Sequence, residues 1–170
     1  MRSFFQVLAV VCALAAGGAA QAQALFAPPE GDFSVAFPKP PTAQARPAKR
    51  MNDVAVRRYV DQEPARAFVV ALELYPQGSL PPSPNGAVYD RLLRTHAEDS
   101  SSELVSTRAA RLAGRPSLEG TFKDADGNVE IVRLLMLADC IYRLSYARAA
   151  DLEDPGAADA FFASFKLPAH

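Results

Sequence analysis

Two stretches of this chain restrict its fold more than anything else in it. Arg66–Leu74 places Phe68, Val70, Leu72 and Leu74 on one side of an extended backbone and Ala67, Val69 and Ala71 on the other. Asn128–Leu137 carries Ile131, Val132, Leu134, Leu135, Met136 and Leu137, so it too is apolar on both sides. A strand with two water-avoiding faces needs a layer above it and another below. Both segments are therefore expected inside a sheet that is covered twice.

The remaining elements fit around them. Phe33–Phe37 alternates with period two, as a half-buried strand does. Residues 38–50 contain four prolines and four basic side chains without periodicity, and read as a long exposed loop of polyproline character. Val54–Val60 and Arg66–Leu74 form a hairpin. Ser83 and Pro84 read as cap and first turn of a helix reaching about Asp99, with Tyr89, Leu92, Leu93 and His96 along one stripe. Four strands follow: Glu103–Leu112, Ser117–Lys123 after a corner at Gly114–Pro116, Asn128–Leu137 and Cys140–Arg148. Their short connections require antiparallel pairing. Asp126-Gly127 reads as a type I′ hairpin turn. Asp154 and Pro155 read as the start of a closing helix that carries Phe161, Phe162 and Phe165. The expectation is an α+β domain, a six- to seven-stranded antiparallel sheet flanked by two helices on opposite faces.

Met1–Ala24 is excluded from that domain. Arg2, the apolar run Phe4–Ala16 and the overlapping Ala20-Gln21-Ala22 and Ala22-Gln23-Ala24 sites have the layout of a cleaved signal peptide. The apolar run is too short to span a bilayer, which takes roughly 20 residues. The expected product is a periplasmic or secreted monomer, residues 25–170, with no membrane anchor after processing. Cys12 leaves with the leader, so Cys140 remains alone and packing must supply the stability.

Composition and motifs remove several chemistries. A formal charge of −1 gives no field to recruit nucleic acid. The phosphate and dinucleotide loops, the G-x-S-x-G elbow and H-E-x-x-H are missing, and two histidines cannot build an imidazole-rich metal site. Asp124–Asn128 departs from a calcium loop because Gly127 comes one residue early and Leu135 stands where a glutamate is needed. Neither a catalytic constellation nor a cofactor is expected. Cys140, at a strand start with no histidine nearby in sequence, reads as a core residue. Arg108, Arg133, Arg143 and Arg148 lie on strands, where they must pair with Glu73, Glu119 or Glu130 or form an anion-binding rim.

The strand Phe33-Ser34-Val35-Ala36-Phe37-Pro38, the hairpin before the first helix, the meander containing Tyr142-Arg143-Leu144 and the closing Phe161-Phe162-Ala163-Ser164-Phe165 resemble the PsbP-like group of exported bacterial proteins. That resemblance implies an α/β/α sandwich and a small accessory or interaction module rather than a reaction. On this reading an unidentified envelope or protein partner is met through the basic loop, at Lys39, Arg46, Lys49 and Arg50. The alternative is a small-ligand binder or enzyme with a pocket between sheet and first helix, using Tyr89, His96, Tyr142 and Arg143.

Overall fold

The computed structural model describes residues 24–49, 53–81 and 86–168. The proposed leader up to residue 23, Arg50 and the proposed helix start at Ser83 and Pro84 lie outside them. The order is β1 (Ala24–Phe26), β2 (Val35–Phe37), β3 (Thr42–Arg46), β4 (Ala55–Gln62), β5 (Arg66–Leu74), α1 (Gly86–Ser100), β6 (Glu103–Leu112), β7 (Arg115–Lys123), β8 (Val129–Met136), β9 (Cys140–Arg148) and α2 (Ala157–Ser164). The architecture is α+β. Seven strands pair antiparallel in the order β3-β4-β5-β9-β8-β7-β6, with the two doubly apolar strands β5 and β8 flanking the central β9.

Because side chains alternate across a strand, the registers sort the core into two. Phe68, Val70, Leu72, Leu135, Tyr142, Leu144 and Tyr146 face one way and are buried with Phe161, Phe162 and Phe165 of the α2 region. Phe122, Val132, Leu134, Met136 and Ile141 face the other way and meet Tyr89 and Leu93 of α1. The helices thus cover opposite faces, as the two-faced strands require.

Several local expectations are corrected. Phe33–Phe37 does not join the main sheet. Its strand β2 pairs with β1 in a separate two-stranded sheet lying on the α2 face, where Phe33, Val35 and Phe37 enter the core. The seventh strand is instead β3, cut from the middle of the supposed loop 38–50 and paired from Thr42↔Val60 to Arg46↔Val56. Pro38, Pro40, Pro41 and Pro47 all fall outside it, so no ladder donor is lost.

Two turns and a helix start also differ. The corner after β6 is the pair Ala113–Gly114, both at positive φ, so β7 begins already at Arg115. In the β7–β8 turn only Gly127 is left-handed, at φ 86°, and the Asp124 carboxylate accepts from the Asp126 and Asn128 amides. A type I′ turn needs two positive φ values, so the turn is of another kind. Asp154 does not cap α2. The cap position is Gly156, while Asp154 accepts from Arg66 (2.7 Å) and the Tyr146 hydroxyl (3.0 Å), which fixes the start of α2 to β5 and β9.

Candidate functional site

Among the described residues, the α1 face of the sheet is only half covered. The helix sits over β6, β7, β8 and β9, while Gln44, Arg46, Val56, Arg58, Val69, Ala71 and Glu73 continue the same face across β3, β4 and β5. They floor an open groove of about 780 Å³, walled on the α1 side by Leu92, Thr95, His96 and Asp99. This amends the expectation for β5. Its Phe68–Leu72 side is closed, whereas on the other side half-buried Val69 and buried Ala71 line the groove. Small apolar residues there make a shallow floor rather than a core.

A polar chain lies where the floor meets α1. His96 Nε2 is 2.9 Å from Glu130 Oε2, and His96 Nδ1 is 3.2 Å from Arg143 Nη1. A guanidinium can only donate, so Nδ1 accepts and Nε2–H donates to Glu130. Arg143 Nη2 reaches Glu73 Oε1 at 2.7 Å, and the Tyr75 hydroxyl donates to Glu73 Oε2 at 3.0 Å. Burial opposes ionisation of Glu130, but the hydrogen bond from His96, with help from Ser145 and the Arg143 charge, holds its carboxyl below the usual range. Burial and the Glu73 carboxylate push the Tyr75 phenol up to about 12. Both imidazole nitrogens are engaged, so His96 orients and braces this wall and is not free to act as a base. Arg143 Nε is buried without an acceptor among the described residues.

Of the four residues proposed for a pocket, two meet. His96 and Arg143 join in the groove wall. Tyr89 is enclosed beneath α1, where its hydroxyl accepts from the Met136 amide at 3.1 Å. Tyr142 faces the opposite layer and donates to the Asp32 carbonyl at 3.1 Å. Tyr142 and Arg143 are consecutive on a strand, so one pocket cannot contain both.

The loop candidates separate in the same way. Arg46 lines the groove from β3. Lys39 turns back to the hairpin, its amide donating to Asp61 at 2.8 Å and its ammonium 3.3 Å from Glu63. Lys49 is exposed beside Asp53, which accepts from its amide at 3.2 Å. The four strand arginines are engaged, and the anion rim does not form from them. Arg108 and Arg133 bracket Glu119, Arg143 holds Glu73, and Arg148 donates to the Ala149 and Leu152 carbonyls. Sequence reasoning missed Arg58, opposite Gln44 on the groove floor. The alternation of β4 was its signal, since Val56, Arg58 and Val60 share a face.

Cys140 is half-buried against the α2-side core, and burial, reinforced by the Asp32 and Asp139 carboxylates, pushes its thiol up, away from the reactive thiolate. Among the described residues no group of His, Cys, Asp and Glu could hold a metal, and no helix is long and apolar enough to cross a membrane. Compared with protein-family models and with curated proteins, the chain matches none.

Proposed function

We propose that this protein is an exported, non-enzymatic module that captures a partner on the open shelf of β3, β4 and β5 beside α1. One observation carries the reading: among the described residues, one sheet face is roofed by α2 and the β1–β2 ribbon, while the other is roofed by α1 across β6–β9 and left open over β3–β5. A stable domain of this kind has every reason to close both faces, and an uncovered half with a ready wall is a surface kept for contact. The leader-like start of the sequence supports export, and the resemblance to the PsbP-like group supports an accessory role. His96, fixed at both nitrogens, argues against general-base chemistry in the groove.

The small-ligand reading keeps one observation in its favour. The groove volume lies in the range of ligand pockets, roughly 300–1,000 Å³. Native mass spectrometry of protein purified from its own envelope separates the two, since a retained small molecule would reverse the preference. The test of the module itself is photo-crosslinking in intact cells. A photoreactive residue at Gln44, on the shelf, should capture a partner that one at Glu153, by the α2 start, does not. Equal capture from both positions, or none from Gln44, would dismiss the shelf. The same preparation should begin at Gln23 or Leu25 in the exported fraction; an intact Met1 start would remove export.

A further inference from the structure

Resting on that shelf, we infer that the free edge of β3 accepts an extended acidic segment of a partner protein as an added strand, with its carboxylates seated on Arg46 and Arg58. Among the described residues β3 ends the sheet and pairs only with β4, which leaves its outer N–H and C=O groups open along five exposed residues. Unguarded edges recruit strands, and proteins usually protect them with charge or bulges. The opposite edge, β6, is guarded in this way, with a register shift between Leu104 and Ser106 and with Glu103, Arg108 and Arg111 along it. β3 reads Thr-Ala-Gln-Ala-Arg, small and uncharged until its last residue. Prolines at 40, 41 and 47 bound it, so an incoming strand has a defined short register.

Charge selects the occupant. Arg58 lies opposite Gln44, and Arg46 is two residues further along the same strand, so both project from the groove face as diagonal neighbours within reach of one another. Neither has a carboxylate partner among the described residues. The carboxylates of the groove stand elsewhere: Glu73 is held by Arg143 and Tyr75, Glu130 by His96, and Asp99 is on α1. A strand added beside β3 lays every second side chain over these two guanidiniums, and acidic side chains there would neutralise them. A second copy of this chain paired through β3 would instead bring Arg46 and Arg58 of both copies onto one face, where like charges oppose pairing.

The probe is a short synthetic peptide alternating valine and glutamate, added to the processed protein and followed by amide NMR. Binding should slow hydrogen exchange at the amides of residues 42–46 that point away from β4, while the matching valine–lysine peptide should not bind. N-methylation of alternate peptide residues should abolish binding in one phase and spare it in the other, because a strand's N–H groups alternate in direction. R58E, and separately R46E, should weaken the acidic peptide roughly tenfold or more and admit the lysine peptide, with melting unchanged. Equal binding of both peptides, indifference to both methylation phases, or inorganic phosphate protecting the same amides would each overturn strand addition. If Gln44 crosslinking still succeeds, only the acidic strand is lost; if that fails too, the shelf is lost with it.

Discussion

Glu119 shows how charge is carried inside this sheet. It is 3% exposed on β7, yet Arg108 and Arg133 reach it from the strands on either side. Burial opposes its ionisation, and the two guanidinium hydrogen bonds outweigh burial, so its pKa falls below the ordinary 4.5. A carboxylate lowered by folding contributes stability that is complete above that ordinary value and fades as pH drops through the folded one. Glu63 and Glu130 are lowered too and act in the same direction. E119Q leaves the half-buried Arg133 with only the exposed Asp159 as a carboxylate partner (3.2 Å) and should cost about 1–3 kcal/mol at neutral pH in a denaturant melt, most of it from Arg133 because Arg108 is largely exposed. The gap between variant and parent should narrow steadily below about pH 4.5; a gap constant from pH 7 to pH 3 would refute the ionic origin. That these arginines pair across strands could be read from the sequence, since sheet-borne charge under a helix has few other outcomes. That Tyr142 and Arg143 part company could have been read from period two alone. Arg58 escaped notice because, in a strand with charges at Arg57, Arg58 and Asp61, only the register says which guanidinium is answered; Arg57 meets Asp32 at 2.5 Å on the other side.

The packing of α1 depends on a missing side chain in β7. A Cβ at Gly120 would come within about 3.0 Å of Leu93 Cδ2 and of Phe122 Cε2, both on fully buried residues. G120A should therefore cost about 1–3 kcal/mol by overpacking, read as a lower melting temperature that G120A/L93A partly restores; a variant as stable as the parent would mean that α1 can shift outward. β3 teaches the opposite lesson about visibility. Its five residues are exposed on both faces, so no hydrophobic period betrays them, and four surrounding prolines suggest a loop. What makes them a strand is the ladder offered by β4, a tertiary cause that local pattern cannot reveal. Deleting residues 39–50 should accordingly lower the melting temperature, by roughly 2–4 °C for each kcal/mol lost, because β4 becomes an uncovered edge and Lys39 no longer ties to Asp61 and Glu63. An unchanged melt would show that the β3–β4 ladder adds nothing.

Across the domain, the doubly apolar strands correctly announced a sheet with cover on both faces, but not that one cover stops halfway. Hydrophobicity reports that a face avoids water, and size reports how much must be laid on it. The closed side of β5 carries Phe68, Val70 and Leu72, and the shelf side carries Ala67, Val69 and Ala71. The asymmetry can be tested on two consecutive residues. Val70 is 0% exposed between Tyr59 and Leu144 in register, in a layer sealed by the α2 phenylalanines. Val69, between Val60 and Ser145, is half-buried and opens onto the groove. A tryptophan at Val70 has nowhere to go and should destabilise by about 3 kcal/mol or more. A tryptophan at Val69 can lie along the shelf, so V69W should stay within about 1 kcal/mol of the parent. It should nonetheless abolish capture from Gln44, because the indole would occupy the surface that the partner needs. Comparable losses of stability in V69W and V70W would mean that the α1 face is as closed as the α2 face, and the open half of the sheet would no longer be available as a site.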